Sequence, residues 1–222
     1  MEESTRGPFE SASIPEAYRR FLQPAIFEPW AARLIDFVGL HEGQTVLDVA
    51  SGTGAVARAA ARTVGPRGRV IASDISTGML TNVAIGAHPA DAPIELLESP
   101  ATAIALSDAA VDVALCQQGF PFIRGSASGK MSMSETDVQK VLSAGGFVDV
   151  EVTLQELVLQ WPSVAGAAAG ISGTPYWPVV ESLEEEPRNG IIGALQDVFS
   201  GSDGQPLLQT TTAVLGRGTV AA

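Results

Sequence analysis

Asp48, Gly52, Gly54 and Asp74 are the residues of this chain whose types and spacing could do chemistry. The two glycines lie in TVLDVASGTGAVARAAA, residues 45–61, where the apolar run Val46, Leu47 and Val49 meets a turn and then an alanine-rich stretch of high helix propensity. Glycine at 52 and 54 lets a ligand approach the backbone N–H groups that open a helix, which is the arrangement of a nucleotide-binding turn. Asp48 sets a carboxylate at the mouth of that turn; the plainer alternative is that it caps the following helix. Asp74 ends RVIASD, twenty residues past Gly54, and a carboxylate there offers two acceptors to the vicinal hydroxyls of a ribose.

Two ligand classes fit these residues. GTGAVA satisfies the G-x-G-x-x-A form of the dinucleotide fingerprint, so a nicotinamide-dependent oxidoreductase stands beside a methyltransferase. A pyrophosphate over the turn would bring negative charge toward Asp48 in a partly desolvated cleft, which is unfavourable unless a cation intervenes. S-adenosylmethionine has no phosphate and carries a sulfonium and an ammonium group. Asp48 therefore favours the methyl donor, and the chain also lacks a Tyr-x-x-x-Lys pair.

The elements that must position these residues read as short buried strands near 45–50, 69–73, 93–97 and 111–116, with helical stretches between them. Two later strands near 147–158 and 206–215 are expected to close the sheet. The fold class is α/β, a Rossmann-like doubly wound sheet, mainly parallel with a late antiparallel strand. Loops at the carboxyl ends of such strands form the ligand crevice, which makes Gln117, just past the fourth strand, a candidate contact to cofactor or substrate.

At 222 residues and 45% hydrophobic content the chain can bury a substantial core, and a net charge of -12 disfavours contact with a nucleic-acid backbone. The single cysteine, Cys116, excludes an intrachain disulfide and reads as a buried, inert thiol within the fourth strand. His41 and His88 fall in loops, and no Cys/His cluster has metal-ligand spacing, so no metal is expected. Residues 1–14 read as a disordered lead without an apolar signal core. The uncharged stretch 157–180 is broken by Pro162, Pro175 and Pro178 and reads as substrate-side loops and a short helix, not a membrane span. The expected location is the cytoplasm.

The sequence resembles the class I S-adenosylmethionine-dependent methyltransferases, in particular the small-molecule branch of ubiquinone and menaquinone biosynthesis. VLDVASGTG is similar to the family's first motif, SDISTGML to its acidic second motif, and VDVALCQQGFPF to its fourth strand and exit loop; the lead-in from Tyr18 to Ala50 is similar too. The resemblance implies S-adenosylmethionine as cofactor, with S-adenosylhomocysteine as product, and a small-molecule methyl acceptor. It places Asp48, Ala50, Ser51, Gly52 and Gly54 around the methionine part of the cofactor, Asp74 at the ribose, and Ile75 and Met79 against adenine. Ile75 and Met79 equally fit a core role under the helix. Where the family often has an acidic residue after its third strand, this chain has Pro100 and Ala101, so adenine recognition falls to backbone groups near Ala101 and Thr102. Tyr18 and Trp30 lie in a lead-in that folds over the cofactor in the family, and each fits a packing role as well. No catalytic base is assigned.

Past Phe122 the resemblance breaks. The family's helix, Pro-Gly-Gly turn and fifth strand are absent, and RGSASG has the composition of a flexible linker. The chain resumes with Ser134 as N-cap and Asp137 three residues on, a helix over 135–144 ending at Gly145, and the strand FVDVEVTL. The expected organisation is a lead over 1–14, a cofactor-binding half over 15–123, a linker over 124–130 and a C-terminal half over 131–222; a deliberate deletion of a helix-strand unit bridged by an inserted linker is the preferred explanation, beside a naturally shortened chain and a plain surface loop. A sheet edge left open by that loss makes a homodimer plausible, and a cofactor-binding scaffold without turnover is the alternative function.

Overall fold

The structure, a computed structural model, describes residues 13–86, 88–123, 132–199 and 206–220. Expectations for 1–12 and for the linker 124–130 lie outside the described residues. Residues 13 and 14 correct the reading of the lead: they open helix α1 (Ser13–Ala17), and Ile14 is completely buried. The helix runs on through a π-helical segment, Tyr18–Phe27, into α2 (Glu28–Val38), which ends at Gly39 in the left-handed conformation that favours glycine.

Four strands form the central sheet: β1 (Thr45–Val49), β2 (Arg69–Asp74), β3 (Ile94–Glu98) and β4 (Val113–Leu115), in the order β3-β2-β1-β4 and all parallel. Between β1 and β2 runs α3 (Ala55–Val64), and a short α4 (Thr77–Leu80) follows β2. Val46, Val70, Ala72 and Leu115 share one sheet face and pack against the alanines of α3 and against Ala31, Leu34 and Ile35 of α2. Small side chains on α3 let the helix lie close to the sheet, and this apolar burial is the main stabilising term of this half of the fold. Because β1 lies between β2 and β4, the chain reverses its direction of strand addition there, and a crevice opens at the carboxyl ends of these strands.

The C-terminal half corrects one expectation. β5 (Phe147–Trp161) and β6 (Leu207–Val220) do not close the central sheet but form a separate antiparallel ribbon. Their inward side chains account for it: Trp161 buries against the π-helical segment at Leu22 and Ala25, Leu159 is fully buried, and Leu215 joins the main core. Arg217 fixes the far end by donating to the carbonyl of Phe37 at 2.9 Å and to the carboxylate of Glu151. Among the described residues β4 pairs only with β1, so the sheet ends at β4.

Helix α5 (Glu135–Ala144) begins with the expected capping box, in which Ser134 and Asp137 bond each other's backbone N–H, and it packs on the ribbon. The stretch 157–180 is the end of β5, then α6 (Val164–Ala169), a 3₁₀ turn (Gly170–Gly173) and α7 (Trp177–Glu181); α8 (Glu185–Val198) follows. No helix among the described residues is long and apolar enough to cross a membrane.

Candidate functional site

The turn after β1 takes the shape that its glycines require. Gly52 and Gly54 have φ of 56° and 83°, and Ala50, without that freedom, also stands at 55°. Gly54 has a second constraint, since a Cβ there would come within 3.0 Å of the Val83 backbone. Ala50 adjoins Gly119, past β4, where a Cβ would collide with the Ala50 methyl. The two loops that flank the crevice thus touch through their smallest residues.

Asp48 is 1% exposed. Its Oδ2 accepts from the Ser51 hydroxyl at 2.6 Å and from the Ala57 N–H at 2.9 Å, so the carboxylate caps the first turn of α3. It also lines the pocket beside the turn, and the capping and ligand-facing readings hold together. Burial pushes its carboxyl up to about 7, against the pull of those hydrogen bonds. Asp74 accepts from the N–H of Gly52 at 2.8 Å and of Ser76 at 2.9 Å; burial raises it too, and the backbone bonds oppose the rise. One carboxylate thereby ties the end of β2 to the glycine turn.

The pocket is a small, partly open recess of about 20 Å³, lined by Asp48, Ala50, Ser51, Thr53, Ala55 and Val56 from below. Tyr18 and Phe27 roof it, with their rings stacked at 4.5 Å between centroids. Burial raises the Tyr18 phenol well above its ordinary range, and the charges of Asp74 and Asp48 add to the rise. Gln117 lines the same pocket. Its Nε2 donates to the Phe27 carbonyl at 3.0 Å, which only the amide nitrogen can do, and its Oε1 is left buried without a hydrogen-bond partner. Gln23 fastens the roof to the floor by accepting from the Thr53 hydroxyl at 2.7 Å.

Other candidates lie apart. Ile75 is 44% exposed and free to meet a ligand, whereas Met79 is 3% exposed and serves the core under α4. Ala101 and Thr102 sit in the turn after β3, close to Asp74, whose carbonyl accepts from the Ser99 N–H, but they do not line the pocket. Trp30 is buried in α2 and does not line it either. Cys116 corrects the reading of a buried thiol in the fourth strand: it follows β4 and is exposed. His41 and His88 are both exposed in loops. Sequence reasoning missed Phe27, the Gln23–Thr53 bond and Arg58, a buried cation whose Nη1 donates to the carbonyls of Thr53 and Val83 at 2.7 and 3.0 Å. A polar residue within an alanine run is the one signal that could have singled out Arg58.

A parallel sheet with β1 at the reversal, a glycine turn after β1 and an acidic residue ending β2 define a Rossmann-like methyltransferase fold. Residues 46–146 match the family described as methyltransferase domain. The chain is 31% identical over 119 residues to a 2-phytyl-1,4-naphtoquinone methyltransferase of Synechocystis sp., covering 52% of this chain and 48% of that protein. It is 32% identical over 120 residues to a ubiquinone/menaquinone biosynthesis C-methyltransferase of Hahella chejuensis, covering 53% and 46%. The chain thus spans about half the length of the curated relatives it matches. Among solved structures it is similar in fold to a phosphoethanolamine N-methyltransferase of Haemonchus contortus in complex with S-adenosylhomocysteine, with a TM-score of 0.57, 15% identity and coverage of 95% of this chain and 58% of that one.

Proposed function

We propose that this protein transfers a methyl group from S-adenosylmethionine to a small molecule. The observation that carries the reading is the chemistry of the pocket: a buried carboxylate at Asp48 and an unpaired acceptor at Gln117 Oε1, with no cationic side chain among the lining residues. Such a site matches a ligand that brings N–H donors and positive charge, and it opposes a pyrophosphate. The similarity to quinone methyltransferases supports the same reading and suggests a phenol- or quinol-like acceptor.

When bound, S-adenosylmethionine supplies an electrophilic methyl group on a positively charged sulfur. This chain's residues hold and orient it. Asp48 and Gln117 would face its ammonium end and Tyr18 with Phe27 would exclude water from above, while Asp74, which lies outside the pocket lining at the end of β2, would receive the ribose hydroxyls. In-line displacement at carbon is served mainly by alignment and desolvation, so a site without a dedicated base can still accelerate it.

The sheet ending at β4 favours a second, narrower reading, in which cofactor binding outlasts turnover because a wall of the acceptor site is reduced. The free edge also supports a sheet-extended homodimer, and the acidic composition supports an enzyme that does not act on nucleic acid; a cytoplasmic location is part of the same proposal. Incubation with methyl-labelled S-adenosylmethionine and a panel of quinols, phenols and amines tests the proposal. Label transfer to one acceptor class is expected, and cofactor binding with no transfer to any would leave the scaffold reading in its place.

A further inference from the structure

The roof of the pocket stands on a second segment, which lies far away in sequence. The 3₁₀ turn Gly170–Gly173 packs against both α1 and the π-helical segment. Both of its glycines are buried. A Cβ on Gly173 would lie 2.7 Å from the Cα and 2.8 Å from the N of Tyr18, and 3.0 Å from a methyl of Leu22. A Cβ on Gly170 would lie 2.9 Å from the other Leu22 methyl, with Trp161 behind it at 3.6 Å. The turn therefore rests directly on backbone at Tyr18, an approach open only to a residue without a side chain.

We propose that Gly170 and Gly173 are positioning residues for methyl transfer, forming a seat on which the π-helical segment rests so that the Tyr18 ring stands over the cofactor pocket. This inference rests on the methyl-transfer reading of that pocket. The seat acts through Tyr18 and touches no ligand itself. The Gln23–Thr53 bond holds the segment to the glycine turn, and the seat holds it at Tyr18 and Leu22. The segment after β5, which shows no cofactor motif, thereby acquires a part in cofactor binding.

The two glycines differ in what they meet, and that difference makes a graded test. Gly173→Ala drives a methyl into backbone, which cannot yield, so the π-helical segment must shift. Gly170→Ala meets the end of a flexible side chain, so a smaller shift is expected. Gly166→Ala on the same stretch is the control, because its Cβ meets only the Ser163 hydroxyl at 3.4 Å. Displacing a positioned ring by about 1 Å is expected to weaken S-adenosylhomocysteine binding by roughly tenfold to a hundredfold in Gly173→Ala, less in Gly170→Ala and not at all in Gly166→Ala.

A readout independent of the cofactor comes from the two tyrosines, Tyr18 and Tyr176. Tyr176 is 60% exposed, so in a Tyr176→Phe background ultraviolet titration follows the Tyr18 phenol alone. Its ionisation is expected to move down toward the ordinary value of about 10 in Gly173→Ala as the ring leaves its buried place near Asp74 and Asp48. In Gly170→Ala the added substitution Leu22→Val, which withdraws the crowded methyl, is expected to restore both binding and titration; this arm decides the matter even if Gly173→Ala does not fold. An unchanged Tyr18 titration in Gly170→Ala, or equal weakening by Gly166→Ala, would overturn the seat. Failure of the unsubstituted protein to bind S-adenosylhomocysteine, with the titration series behaving as stated, would instead overturn the methyl-transfer reading and leave the seat standing.

Discussion

Asp48→Asn is expected to make the protein more stable above neutral pH while weakening its hold on the methyl donor. The Asp48 carboxyl is pushed from its ordinary 3.8 up to about 7 by burial. An acid whose value is raised on folding takes up a proton as the chain folds, so its contribution is most favourable below pH 4 and is lost as pH rises toward 7. At about 1.4 kcal/mol per pH interval of one, the full penalty approaches ~4 kcal/mol above pH 7, of which roughly 2.5 kcal/mol develops between pH 5 and pH 8. Asparagine keeps an acceptor for the Ser51 hydroxyl and the Ala57 N–H but carries no charge to desolvate. Urea unfolding of both proteins at pH 5 and pH 8 reads the effect, because the exposed carboxylates contribute equally to each and the repulsion between Asp48 and Asp74, lost in Asp48→Asn, adds in the same sense. The unsubstituted protein should lose about 2.5 kcal/mol more stability than Asp48→Asn across that interval. Parallel losses in the two proteins would refute the reasoning.

Asp74→Ala should weaken S-adenosylhomocysteine binding by roughly 1.5 to 3 kcal/mol, measured calorimetrically, through loss of hydrogen bonds to a charged group. It should also loosen the glycine turn, since the N–H groups of Gly52 and Ser76 lose their acceptor. A cationic ligand stabilises ionised Asp48, so S-adenosylmethionine affinity should rise from pH 6 to about 8 and then level off, with protons released on binding below about pH 7; calorimetry in buffers of different ionisation heat reads both. Light scattering on the eluting protein should report a dimer if the open edge of β4 pairs between copies, and a strict monomer would remove that part of the proposal.

The cofactor half of the fold was readable because its signals are local. Val46, Leu47 and Val49 before Gly52 and Gly54 can hardly form anything but a buried strand and a tight turn, and Asp74 follows at the spacing of one strand-helix-strand unit. The partnering of β5 and β6 was not readable in this way. It depends on where Trp161 and Leu215 find apolar cover, which is decided by elements more than a hundred residues away. The roof was half hidden for another reason: a π-helical segment containing Pro24 breaks the 3.6-residue period by which a helix face is recognised, so Phe27 did not emerge beside Tyr18. Met79 shows the limit of motif transfer, since a residue behind an acidic second motif can face inward as readily as outward.

Titration of the purified protein with S-adenosylmethionine, and separately with NAD, tests most directly the claim that the acidic pocket under Tyr18 and Phe27 is built for a cationic methyl donor. Saturable binding of S-adenosylmethionine at one site per chain, with no measurable heat from NAD, is the expected result. Tight NAD binding with no response to S-adenosylmethionine would contradict it.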